Sequence, residues 1–337
     1  RSTLFPYTTL FRSLADLGLL LAASASAAES GSQEIEIVKG VAVSGLVEVE
    51  GSYVNTKDNS ETDLILSTFE LGIEAKMNDW ISARGVLLYE EDGDDRLIVD
   101  EAYIRMKKED MPFFVEVGRL TQVFGNFATG MISDPLTLEL GETKHHASLR
   151  VGYEAEPFTA SLSVWKGDVQ KSDKSDINSY VAAIALGEKV SDGFRYELGA
   201  SYINNIGDTD GLQDSFGEDD RRTSNFVGGY SVYGIAGFGD LEFRAEYLAA
   251  ADRFSDGDME GLRPRAYNFE IGYDFLDPLH LAVRYGGAED FSVERQYGAT
   301  LAYDLTDFAT VALEYLHVKD EESSNSDMVT LQLAMGF

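Results

Sequence analysis

The stretch VAVSGLVEVEGSY, Val41 to Tyr53, decides the fold. Its odd positions are Val41, Val43, Gly45, Val47, Val49, Gly51 and Tyr53, and its even positions are Ala42, Ser44, Leu46, Glu48, Glu50 and Ser52. A period of two puts an apolar row ending in an aromatic on one face of a strand and a polar, charged row on the other. The same alternation returns as Phe69-Leu71-Ile73-Ala75 against Thr68-Glu70-Gly72-Glu74. It returns again as Ile81-Ala83-Gly85-Leu87-Tyr89 against Ser82, Arg84 and Glu90, and continues to the last segment, VTLQLAMGF, which ends on Phe337. Sixteen such segments are expected, an even number.

Their connections are expected to alternate in length. Short turns such as ND (78–79), EP (156–157) and GD (239–240) exchange with longer acidic loops such as NTKDNSET (55–62) and NNIGDTDGLQDSFGEDDRRTS (204–224). Trp80, Phe113, Phe158, Phe194, Phe238, Phe275 and Phe308 lie beside the short turns, and Tyr53, Tyr89, Tyr202, Tyr247, Tyr285 and Tyr315 near the long loops. Two aromatic rims around small and branched apolar residues are the interfacial girdles of a lipid-facing band. A water-soluble β-sandwich has no need of aromatics at both strand ends. The fold class expected is therefore all-β: a transmembrane, antiparallel, up-and-down β-barrel of sixteen strands over residues 40–337, in the bacterial outer membrane.

Composition removes other classes. The 337 residues carry a formal net charge of −32, which lacks the cationic surface that binding to nucleic acid requires. There is no cysteine, so neither disulfides nor thiolate chemistry arise. Only four histidines occur, His145, His146, His280 and His317, and none stands in a nucleophile motif, so no catalytic residue is expected. No metal and no cofactor are expected either. The adjacent His145 and His146 point opposite ways in a strand, and DTDGLQD (208–214) lacks EF-hand spacing and reads as a solvated acidic loop rather than a Ca²⁺ site.

The amino-terminal residues stand apart. TLFPYTTLFRS (3–13) matches a translation of a sequencing-library adapter, so residues 1–13 are read as an assembly artefact; an unusual natural n-region charged by Arg1 and Arg12 is the alternative. Residues 14–28, with the apolar Leu17–Ala23 and the small-x-small run ASASA, read as the remnant of a signal peptide. Residues 29–39 would form a short periplasmic segment before the barrel.

In such a barrel the polar face lines the lumen. Pore-lining residues expected on that face are Glu70, Glu74, Arg84, Glu101, Arg105, Arg150, Arg244, Glu246, Glu270 and Arg284, together with Glu48, Glu50, Glu154 and Glu314. Charges of both signs set a transverse field that filters polar solutes; taken one at a time, mutual pairing that keeps the interior wet explains each of them as well. Arg119 breaks the pattern, since the alternation that sends Val115 and Val117 outward sends it outward too. A bulge at Gly118 or the membrane rim would accommodate it.

Several stretches, among them VSGLVEVEGSYV, STFELGIEAKMNDWISARGVLLYEED, YINNIGDTDGLQD, RPRAYNFEIGYDF and above all FGNFATGMISDPLTLELGET, resemble the LbtU-type siderophore porins of Gram-negative outer membranes. The resemblance covers nearly all of the chain after residue 28 and implies a TonB-independent barrel, with uptake of a ferric siderophore in at least one member. It brings no agreed ligand-binding residues. The connection between strands 5 and 6, about 120–147, is the longest and holds Phe124, Phe127, Met131, Ile132, Leu136, Leu138 and Leu140. A segment this apolar needs a surface to pack on. By analogy with the third long loop of sixteen-strand porins it is expected to fold into the barrel as a constriction lined by Asp134, Glu139, Glu142, Lys144 and His145; a lid over the mouth is the alternative. The function expected is passage of small hydrophilic solutes with a preference for cations, or a receptor-channel specific for a ferric siderophore. A barrel enzyme and a purely structural or adhesive barrel rank lower. The partners expected are outer-membrane lipid, lipopolysaccharide and the permeating solute, with a homotrimer by analogy.

Overall fold

The alternating segments become strands because their apolar and polar faces separate at every step. The computed structural model describes residues 35–91, 96–172, 174–191, 193–217, 221–276, 278–320 and 325–337, without the side chains of 35–38, 145, 146, 191 and 276. The artefact and the signal-peptide remnant expected over 1–28 lie outside the described residues. In chain order the strands are β1 (Val41–Thr56), β2 (Ser60–Asn78), β3 (Ile81–Tyr89), β4 (Ile98–Lys107), β5 (Phe113–Thr121), β6 (Lys144–Ala155), β7 (Phe158–Trp165) and β8 (Ser179–Ser191). They continue as β9 (Phe194–Ile203), β10 (Gly229–Phe238), β11 (Leu241–Ala250), β12 (Arg265–Leu276), β13 (Leu279–Glu289), β14 (Val293–Thr306), β15 (Ala309–Asp320) and β16 (Asn325–Gly336). Each pairs antiparallel with the next, and β16 closes on β1 with Gln332 opposite Glu50. Closure removes both sheet edges. Phe337 extends the seam by exchanging backbone hydrogen bonds with Gly45, at 2.9 and 3.0 Å. A short strand, Ile35–Val38, folds back on the start of β1.

The barrel is apolar outside and polar inside. On β16, Leu331 and Leu333 are 54% and 50% exposed, while the alternate Thr330 and Gln332 are 2% and 3% exposed. That inverts the pattern of a water-soluble protein and makes the outer surface a lipid-facing band. The two rims of aromatics frame it: Trp80, Phe113, Phe158, Phe238, Phe275 and Phe308 stand exposed at one end, and Tyr53, Tyr202, Tyr285 and Tyr315 at the other.

Some connections are shorter than the sequence suggests. β1 and β2 meet across residues 57–59 in place of the longer loop read from NTKDNSET, and β13 reaches β14 across 290–292. The cause in the first hairpin is a bulge. Glu48 faces Thr68 but Val49 faces Leu66, so Ser67 is an extra residue. The phase of β2 reverses there, and Leu64, at 72% exposure, takes the outward role that Phe69 and Ile73 hold beyond the bulge. Alternation counted in one phase stops at Ser67 and mistakes the rest of the strand for loop.

Arg119 keeps the outward phase of Val115 and Val117 at the long-loop end of β5, and its Nε donates to the Asp100 carbonyl at 2.8 Å. The pairing of β5 with β6 is irregular between Gly118 and Leu120. Gly118 has φ of +145°, and a Cβ there would stand 2.1 Å from the Ala102 carbonyl oxygen. Gly118→Val is therefore expected to prevent barrel closure between β4 and β5. Loss of the heat-modifiable species on cold gel electrophoresis checks this; a normally folded Gly118→Val barrel would refute it.

Candidate functional site

The long segment after β5 does not leave the barrel. It closes its own neck, with the Gln122 amide donating to the Thr143 carbonyl at 2.9 Å, and crosses the lumen to the inner face of β9–β15. Within it the short helix α1 (Leu136–Gly141) starts after Pro135 and buries Leu136, Leu138 and Leu140. Phe124, Phe127 and Met131 join them in one apolar cluster with Ile203, Ile206, Phe216, Leu248 and Phe254 from the far wall and the neighbouring loops. Burial of that many apolar side chains is what keeps the segment inside.

Three wall carboxylates hold its backbone. Glu246 on β11 accepts from the amides of Asn126 (2.9 Å) and Phe127 (3.1 Å) and from the Thr137 hydroxyl (2.9 Å). Glu270 on β12 accepts from the Gly130 amide and the Thr129 hydroxyl, both at 2.6 Å. Glu314 on β15 accepts from the amides of Ile132 (2.6 Å) and Ser133 (3.1 Å). Arg284 on β13 completes the set by donating to the Ser133 carbonyl at 2.6 Å, and Gln296 donates to the Asp134 carbonyl at 3.0 Å. A hydrogen bond to an ionised acceptor is worth roughly twice a neutral one, so these side chains act as clamps.

The predicted pore-lining residues thus fall into two groups. Arg244, Glu246, Glu270 and Arg284 lie on the clamping wall; Arg244 itself pairs with Glu242 and Glu270. The other group stays on β2–β6. Arg84 stands 3.6 Å from Glu101, and Glu74 faces Arg84 in register. Arg105 bridges Glu116 and, at 2.7 Å, Glu154, while Arg150 meets Glu116 at 2.9 Å. Glu70 is buried on the same inner face.

A cavity of about 120 Å³ lies between the second group and the loop. Arg105, Glu116 and Arg150 line it on one side, Gln122, Gly125 and Asn126 from the loop on another, and Glu197, Ser201 and Tyr233 from β9 and β10 on the third. The Tyr233 hydroxyl donates to Glu197 at 2.6 Å. Glu116, Glu197 and Tyr233 were not singled out by the sequence reading, although the same alternation marks Glu116 between Val115 and Val117.

The loop charges put forward from sequence sit elsewhere. Asp134 is buried. Glu139 is half-buried on α1, where enclosure by the loop raises its carboxyl to about 7 against the opposing pull of Arg284. Glu142 lies 3.5 Å from Lys144, which also approaches Asp100 at 3.6 Å. The His145 side chain is outside the described residues. Within DTDGLQD, expected to be a solvated acidic loop, Asp208 is instead fully buried and accepts from Trp165 Nε1 at 2.9 Å and the Val169 amide at 3.0 Å. Asp214 pairs with Arg221 at 2.6 Å. Among the described residues no group of three or more ligands is placed to hold a metal.

A profile of the family described as Gram-negative porin matches residues 15–336. Over 263 residues the chain is 28% identical to a UPF0422 protein of Coxiella burnetii, covering 73% of this chain and 56% of that one. The chain spans about half the length of the curated relatives it matches. Among solved structures, the outer membrane channel DcaP of Acinetobacter baumannii superposes with a TM-score of 0.63 at 16% identity, covering 90% of this chain and 99% of that one. OprB of Pseudomonas putida gives a TM-score of 0.63 at 14% identity, covering 89% and 94%. At these identities the likeness is one of fold.

Proposed function

The chain belongs to the Gram-negative porin family of the outer membrane, and from that premise we propose that it is a water-filled channel for small hydrophilic solutes, narrowed by the loop over 122–143. The observation that carries this reading is the division of the lumen. One wall is spent on clamping the loop, whereas the β3–β6 wall presents Arg84, Arg105 and Arg150 interleaved with Glu101, Glu116 and Glu154. Sixteen strands enclose more room than side chains fill, so a loop packed to one side leaves an aqueous path along the other. Alternating charges across a narrow, low-dielectric passage orient polar solutes and exclude apolar ones. Family and fold point to a channel rather than an enzyme.

A ferric-siderophore cargo is the finer reading that the resemblance to LbtU-type porins supports. Single-channel recording of the refolded barrel in a planar bilayer tests both. A steady ohmic conductance is expected, and block by an added ferric siderophore would favour the specific channel. A folded, heat-modifiable barrel that passes no current would overturn the channel reading. A homotrimer belongs to the same proposal, and chemical cross-linking in detergent reads it.

A further inference from the structure

The walls of the lumen cavity carry opposite excess charge. On the β4–β6 side Arg105 and Arg150 share Glu116, and Arg105 and Lys107 share Glu154, at 2.7 and 2.9 Å. Three cations against two carboxylates leave that side one positive charge. Glu101, also on the lining, is matched by Arg84 at 3.6 Å.

On the β9–β10 side stands Glu197, 3% exposed. Its in-register neighbours are Gly187 on β8 and Ile235 on β10, and neither can pair with it. Arg195, two residues earlier on β9, passes over Gly237 to Glu242 on β11 at 2.5 Å. Glu197 Oε1 accepts from the Tyr233 hydroxyl and, at 3.5 Å, from Asn126 Nδ2. Its Oε2 receives no hydrogen bond, and among the described residues Glu197 makes no ion pair. An enclosed carboxylate without a cation is costly. The cavity that Glu197 lines is the side from which a cation can reach it.

We propose that this cavity is a binding station for the zwitterion of a small free amino acid crossing the channel, its ammonium on Glu197 and its carboxylate toward Arg105 and Arg150. The inference rests on the channel reading and names the class of solute. An ammonium supplies what Glu197 lacks, a positive charge and N–H donors in one compact head. Guanidinium groups receive a carboxylate through their forked N–H donors. A simple cation would gain Glu197 but face the positive excess of the β4–β6 wall, and a simple anion would meet the reverse. A solute carrying both charges gains on both sides.

Free glycine is the probe, added to single channels of the whole chain in a planar bilayer, with its two halves, methylammonium and acetate, added separately at matched ionic strength. Glycine is expected to lower the wild-type current at concentrations where neither half does. Glu197→Gln is expected to raise the concentration for half-block by about tenfold, the loss of one charge-assisted hydrogen bond. Arg150→Gln, which removes charge from the other side, should weaken the block as well and repeats the test should Glu197→Gln not fold. A conducting wild-type barrel indifferent to glycine, or equal block in wild type and variants, would overturn the inference while leaving the channel intact. Methylammonium block as strong as that of glycine, and relieved equally by Glu197→Gln, would overturn it in favour of a site for simple cations. A folded barrel without conductance would remove the channel reading, and the station with it.

Discussion

Channels carrying Glu246→Ala, Glu270→Ala and Glu314→Ala together are expected to pass several times the wild-type current, with noisy transitions between levels. The three carboxylates accept from five backbone amides of the 122–143 loop, those of Asn126, Phe127, Gly130, Ile132 and Ser133. Each buried donor left without an acceptor costs about 1–3 kcal/mol, and the loop can recover most of that by moving its backbone into water. Opposing this, Phe124, Phe127, Met131 and the leucines of α1 remain in the apolar cluster, so the loop stays docked through these side chains while the backbone between them, over 126–133, loosens. Alanine also removes three negative charges from the wall and leaves Arg244 and Arg284 without Glu270 and with an unfixed loop. The current through the variant should therefore be larger and less cation-preferring, read as conductance and reversal potential under a salt gradient. An unchanged conductance from a folded barrel would mean that the apolar cluster alone fixes the loop and that the carboxylates merely decorate it.

How much of this was legible in the sequence depends on which signal each feature leaves. The barrel was legible because sixteen stretches repeat one alternation and the aromatics mark both ends of the strands. The extra length of β2 was not, because Ser67 shifts its phase. The folding of the loop inward was legible in part: Phe124, Leu136 and Leu140 announce a segment that must be buried, and all three are. What holds its middle was hidden, since the donors are main-chain amides that every residue carries and no side-chain pattern distinguishes. Glu246, Glu270 and Arg284 were recognised as inward-facing, but inward-facing and lining the water path are different properties. The loop that separates them comes from β5, more than a hundred residues earlier in the chain. The charges on the loop are a related case. Asp134, Glu142 and Lys144 were read as lining a constriction because they are charged; Asp134 is buried with its carbonyl held by Gln296, and Glu142 and Lys144 face each other at the neck.

The arginines on the opposite wall should set selectivity. Replacing Arg105 and Arg150 with glutamine is expected to raise the cation-to-anion permeability ratio severalfold. In the native barrel Arg105 and Arg150 share Glu116, which is 2% exposed, and Arg105 also reaches Glu154. Lys107, 2.9 Å from Glu154, partly replaces the lost charge there, but Glu116 has no cation besides Arg105 and Arg150 among its described ion pairs. Glu101 and Glu197 line the same cavity, so the double variant leaves three carboxylates facing the passage with both guanidinium groups removed. Stranding a buried carboxylate by removing its partner can cost about 3–5 kcal/mol, which a water-filled lumen reduces by solvating it. Arg150→Gln alone, which leaves Arg105 on Glu116, serves if the double variant does not fold. Ionic strength supplies the discriminating readout. The Debye length is about 10 Å at 0.1 M and about 3 Å at 1 M, so charges that act on permeating ions should shift the reversal potential far more in dilute salt than in concentrated salt. A shift of equal size in both would point to a change of pore shape. No shift in either would place the current outside this cavity and remove the β3–β6 wall from the conduction path.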